Sequence, residues 1–142
     1  MILLDTDHAT LLKYPAGTLR DRLRERLDRL PRDEAVAVTI ITVEEQMRGW
    51  LACVAKERAV QRQVAPYREL ARLFEFYSQF TIIPFDDRAA IQFDALRSAK
   101  IRVGTMDLKI ASIAMVNQCV LLTANLRDFE QVPGLRVENW LE

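Results

Sequence analysis

Four short apolar runs, most of them followed by a stretch with helical spacing, constrain this chain more than any other feature. They are Met1-Ile-Leu-Leu-Asp5, Ala35-Val-Ala-Val-Thr39 (extendable to Ile41), Phe80-Thr-Ile-Ile-Pro84 and Cys119-Val-Leu-Leu-Thr123. A strand apolar on both faces is one that is covered on both faces. After the first run, Pro15 and Gly17 mark a break, and Leu19, Leu23, Leu27 and Leu30 then recur at helical spacing over 18–30. After the second, Thr42 opens a long helix to about Val64 with Val43, Met47, Trp50, Leu51 and Val54 as its stripe, and Pro66 starts another to about Tyr77. Asp86 caps a helix carrying Ala90, Phe93, Leu96 and Ala99, and an apolar helix runs from Met106 to about Asn117. Leu135 to Val137 offers a fifth, edge strand. Alternating strands and helices predict a three-layer α/β sandwich around a mostly parallel sheet of four to five strands, as one domain over 1–142.

Composition narrows the class. At 142 residues, 50% hydrophobic and 28% charged, the chain can bury a core and is neither disordered nor fibrous. Its zero net charge excludes a strongly basic nucleic-acid coat protein. No run reaches the roughly 20 apolar residues of a membrane span, and no basic segment precedes the first apolar run. The expectation is a cytoplasmic protein that does not enter a membrane. Cys53 and Cys119 read as small core residues, and the one histidine, His8, is too few for a Cys/His zinc site.

Ligands of open parallel sheets bind beyond the carboxyl ends of the strands. Asp5, Thr6, Asp7 and His8 follow the first strand, and Thr42, Glu44 and Glu45 follow the second. Thr105 and Asp107 open the helix before the fourth strand, which Thr123, Asn125 and Asp128 follow. Each group also has a purely local explanation. Asp5 or Asp7 could cap a helix, Thr42-Val-Glu-Glu45 fits a capping box, and Asp107 sits in a first turn where the helix dipole favours an acid. Together, however, they bring a carboxylate to one sheet edge from four segments. Converging carboxylates repel unless a cation neutralises them, and oxygen-only donors select hard ions such as Mg2+ or Mn2+.

Leu4-Asp5-Thr6-Asp7, Thr42-Val-Glu-Glu-Gln-Met-Arg-Gly49, Gly104-Thr-Met-Asp-Leu-Lys-Ile-Ala-Ser-Ile-Ala114 and Leu122-Thr-Ala-Asn-Leu-Arg-Asp-Phe129, with Val132-Pro-Gly-Leu135 behind, resemble the PIN-domain family in order and interval. Within it they resemble VapC-type toxins of toxin–antitoxin pairs. The resemblance covers essentially the whole chain and implies a PIN-like sandwich and a Mg2+-dependent endoribonuclease. By position it makes Asp5, Glu45, Asp107 and Asp128 the catalytic, metal-holding acids, with Glu44 the weaker alternative to Glu45. It makes Asn125 a polar contact and Thr6 and Thr123 hydroxyls that place water or phosphate. Asp7 departs from the pattern, since Asn is common there; an acid at that point either strengthens metal binding or caps the helix.

The implied reaction is attack of metal-activated water on an RNA phosphodiester. His8 is a general base or, as the plainer reading, a surface or capping histidine. Arg102 and Lys109, near the acidic edge in sequence, are candidate substrate contacts. The arginines from Arg48 to Arg72 form either an RNA track or a solvated helical face. Trp50, Phe74, Phe76 and Tyr77 read mostly as core, and the resemblance adds a groove there for a VapB-like antitoxin and a homodimer contact. Two other classes compete. A phosphoacceptor signalling domain needs an acceptor Asp ending the middle strand, whereas the third run ends in Ile83-Pro84. A non-catalytic binding module on the same fold has no need of acids at all four stations.

Overall fold

The computed structural model describes residues 1–142. Five strands, β1 (Ile2–Leu4), β2 (Val36–Thr39), β3 (Thr81–Ile83), β4 (Val120–Leu122) and β5 (Arg136–Glu138), form one sheet in the order β3-β2-β1-β4-β5. Every neighbouring pair is parallel. Leu4 of the central strand stands beside Val38 on one side and Leu122 on the other.

The period-two alternation of strands divides the interior. Leu3, Ala37 and Leu121 join a core with α5 (Asp87–Ser98), α6 (Thr105–Val116) and Phe129 of α7 (Leu126–Phe129). Ile2, Leu4, Val38 and Leu122 join a second core with α1 (Thr6–Leu12), α2 (Thr18–Asp28) and α4 (Val64–Tyr77). Helix α3 (Ile40–Lys56) feeds both, with Ile41 in the first and Val43 in the second. The result is the expected three-layer sandwich. Helix α6 is buried from Leu108 through Ile110 to Ala114, as its nearly unbroken apolar sequence requires. No helix is long and apolar enough to cross a membrane.

Several local expectations are corrected. The long helix from Thr42 to Val64 begins earlier and ends earlier: α3 stops at Lys56, and a short 3-10 turn, Val60–Gln63, leads into α4. Pro66 lies inside the first turn of α4, where its missing N–H is not needed. The helix over 18–30 ends at Asp28, and Leu19 is exposed. Gly17 precedes it at φ 146°, a backbone conformation open only to glycine. Thr42 does not open a capping box. Thr39 is the cap, and its hydroxyl accepts the Thr42 backbone N–H at 3.1 Å. Cys53 is exposed rather than core, and so is Phe74. The third strand is an edge, and the middle of the sheet is β1, which Asp5 directly follows.

Candidate active site

The chain runs from β1 outward to β2 and β3, then crosses to the other side of β1 to lay down β4 and β5. The carboxyl ends of β1 and β4 are therefore the point where the strand order reverses, the usual place for a ligand crevice in such a sheet. Asp5 leaves β1 there with its backbone N–H bonded to Leu122 O at 2.9 Å. Its Oδ1 accepts the Thr6 backbone N–H at 2.8 Å, which makes it the cap of α1, and its Oδ2 accepts the Thr123 hydroxyl at 2.8 Å. Thr6 in turn shares a 3.1 Å hydroxyl pair with Thr42 in the first turn of α3. Three separate segments are thus tied together by side chains at the sheet edge.

Asp5 is buried at 6% exposure. Burial, then the charge of Asp7, push its carboxyl up to about 6 against the hydrogen bonds from Thr123 and Thr6, with Asp107 adding to the rise. Glu45 is pushed up to about 6 by burial and then by the charges of Asp5, Asp107 and Glu44. Its Oε1 is buried with no hydrogen-bond partner. Glu44 points its carboxylate to Arg48 at 2.6 Å, so it is engaged on the helix surface. Asp107, in the first turn of α6, is raised by burial and then by Asp128 and Asp7. Asp128 holds the Asn125 side-chain amide at 3.1 Å on its Oδ2. Asn125 stands at the cap position of α7 and spends its side chain on this bond instead of capping the helix backbone.

The four acids thus lie near one another: Asp107 raises Asp5, Asp5 and Asp107 raise Glu45, and Asp128 raises Asp107. No three His, Cys, Asp or Glu side chains are gathered tightly enough to share an ion as they stand. The donor set is oxygen only, and the unpartnered Glu45 Oε1 is a buried acceptor without a donor. Both features fit a hard divalent cation better than any soft metal.

Asp7 does not take the capping role. Asp5 caps α1, and both oxygens of Asp7 are occupied: Oδ1 by His8 Nδ1 at 2.6 Å, and Oδ2 by the Ala124 backbone N–H at 2.9 Å, with Thr123 Oγ1 at 3.4 Å. Burial raises the Asp7 carboxyl, but the bonds from His8 and Ala124 outweigh it and hold the group below its ordinary range. His8 is fully buried, so it is neither a surface residue nor free to take a proton from water. Arg102 is exposed in the turn before α6, and the Lys109 ammonium lies 5.8 Å over the Phe85 ring. Sequence reasoning missed Thr39 and the Thr6–Thr42 bridge. The spacing of Thr39 and Thr42, a hydroxyl three residues before another at a strand-to-helix junction, was the available signal. The Ala124 N–H has no signal in sequence.

The PIN domain family model matches residues 15–135, a stretch that includes Glu45, Asp107 and Asp128 and begins after Asp5. The tRNA(fMet)-specific endonuclease VapC of Salmonella typhimurium is 37% identical over 84 residues, which span 56% of this chain and 64% of that protein. Ribonuclease VapC2 of Haemophilus influenzae is 28% identical over 142 residues, spanning 92% of this chain and 100% of that protein. Among solved structures, DNA-bound VapBC from Salmonella typhimurium superposes with a TM-score of 0.76 at 29% identity over 99% of both chains. VapBC2 from Rickettsia felis, bound to a DNA fragment from its promoter, gives a TM-score of 0.74 at 25% identity over 99% of both chains.

Proposed function

The chain belongs to the PIN-domain family, and on that footing we propose that it is a metal-dependent endoribonuclease, the toxin of a VapBC-type toxin–antitoxin pair, working as a single domain in the cytoplasm. The observation that carries this reading is the set of acids from four segments at the switch point of the sheet, with Asp5 and Glu45 both pushed up to about 6. Carboxylates that crowd together at a cost to their own ionisation mark a site built for something they bind.

Asp5, Glu45, Asp107 and Asp128 would hold Mg2+, with Mn2+ able to replace it. Such an ion, when bound, lowers the pKa of a coordinated water and offsets charge on a phosphoryl oxygen. The residues of the chain supply the rest. Thr123 and the Thr6 N–H fix the Asp5 carboxylate through one lone pair on each oxygen, which leaves the others free. Asn125 fixes Asp128 in the same way. Arg102 and Lys109 offer cations to an RNA backbone arriving at this edge.

A face for partners lies along α3 and α4. Ile40, Met47, Phe74 and Ile82 line an apolar cavity of about 380 Å³ beside α3 and α4, and Leu51, Val64 and Tyr67 are exposed on the same helical pair. These suit a VapB-like antitoxin and a homodimer contact.

The test is direct. The purified chain should cleave RNA when Mg2+ or Mn2+ is added and stop when the ion is chelated. Expression alone should arrest growth, and coexpression of the cognate antitoxin should restore it. Cleavage that survives both chelation and loss of Asp107 would reject the proposed site.

A further inference from the structure

His8 is the only histidine of the chain and has no exposed surface, and both of its ring nitrogens are engaged. Nε2 lies 3.2 Å from the backbone nitrogen of Trp140, and Nδ1 lies 2.6 Å from Asp7 Oδ1. A backbone N–H can only donate, so Nε2 accepts and carries no proton. The ring proton is therefore on Nδ1, donated to Asp7. The other oxygen of Asp7 accepts the Ala124 N–H at 2.9 Å, directly after Thr123, whose hydroxyl is donated to Asp5. The direction of each bond is fixed from the C-terminal segment, through the first helix, to the loop leaving β4.

We propose that His8 is a positioning residue: anchored on the Trp140 backbone, it orients Asp7 so that Asp7 straps the β4 exit loop, and with it Thr123, against Asp5. This rests on the reading of Asp5 as a site carboxylate. The donor pattern also gives a reason for an acid at position 7. An asparagine there could accept from Ala124 only by turning its amide N–H toward His8 Nδ1. The ring proton would then move to Nε2, where it faces the Trp140 N–H. Turned the other way, the amide meets the Ala124 N–H. One of the two junctions becomes donor against donor, and only a carboxylate satisfies both.

The first test needs no RNA and no variant. Nitrogen–proton NMR of the intact protein at neutral pH should find His8 as the neutral tautomer with its proton on Nδ1. A proton on Nε2, or on both nitrogens, overturns the proposal. The second compares two substitutions that split the ring. His8→Asn keeps a donor near the Nδ1 position, and His8→Gln keeps an acceptor near the Nε2 position. His8→Asn should hold Mn2+ affinity and kcat within about threefold of the parent. His8→Gln and Asp7→Asn should each lose about 10- to 100-fold in both, with the KM for RNA little changed, as is usual when the partner orienting a metal-site residue is removed. Both histidine variants at parental levels, or the opposite order, would reject the strap. If His8→Gln fails to fold, Asp7→Asn and the tautomer decide. A parent that binds Mn2+ but cleaves no RNA would defeat the proposed function and leave the strap to be judged on tautomer and affinity.

Discussion

Thr123 donates its hydroxyl hydrogen to Asp5 over 2.8 Å, joining positions 118 residues apart at the one place where the strand order of the sheet reverses. The bond stabilises the ionised form of a buried carboxylate that desolvation drives the other way. Thr123→Val keeps the shape and deletes the donor. The Asp5 carboxyl should then rise further, and the acid limb of the pH–rate profile should move to higher pH. A profile identical to that of the parent would show that the bond is idle in the reaction.

Asp5→Asn and Asp107→Asn should each abolish RNA cleavage without unfolding the protein. Asp5→Asn should also stabilise the metal-free protein at pH 7. The Asp5 carboxyl stands at about 6 in the folded chain against 3.8, so the folded state is the better proton binder. That contribution favours folding below about pH 4, fades as pH rises through about 6, and leaves a charged, poorly solvated carboxylate at neutrality. Removing the charge should gain about 1 to 3 kcal/mol, read by denaturant titration with and without Mn2+.

Protons and a divalent cation compete for the same carboxylates. Mn2+ affinity should be flat above about pH 7 and fall as pH drops through about 6, where Asp5 and Glu45 take up protons. Calorimetric titration across that range is the check. Affinity unchanged down to pH 5 would show that these two groups do not hold the ion.

Glu44 and Glu45 are neighbours with opposite fates. Glu45→Gln should lose at least about 100-fold in cleavage, as a metal-site acid would. Glu44→Gln removes a surface pair with Arg48 and the smallest of the charges acting on Glu45; it should alter stability by less than about 1 kcal/mol, with cleavage near the parental rate. Parallel assays of the two variants would reveal a reversed assignment.

Phe129 is fully buried on the α7 side of the sheet, one residue beyond Asp128. Phe129→Ala should lower stability by about 3 to 5 kcal/mol. It should also loosen the turn that presents Asp128 and Asn125. Thermal melting measures the first effect, and Mn2+ affinity at a temperature where the variant is still folded measures the second.

The layered architecture was legible because its signals are local: apolar strand cores, helical stripes and the breaks between them. So were the four acidic stations, since a strand followed by an acid is visible in the chain itself. The parts that sequence misassigned depend on the third dimension. Thr42 looks like a cap until α3 is seen to begin at Ile40 and Thr39 takes that duty. His8 looks like a surface residue until the segment at Trp140 closes over it. Phe74 and Cys53 sit in apolar stretches, but they lie on the outward faces of α3 and α4, where several other apolar side chains are also exposed. Chain order alone suggests the third strand as the middle one, whereas the crossover puts the first strand there.

Lacing β1 to β4 has a consequence for synthesis. The partner strand of Asp5 emerges only after Val120–Leu122, and the anchor of His8 only at Trp140. A ribosome making this polypeptide therefore reaches Trp140 before the Asp5–Thr123, Asp7–Ala124 and His8–Trp140 bonds can all close, so a fragment released earlier lacks the assembled centre.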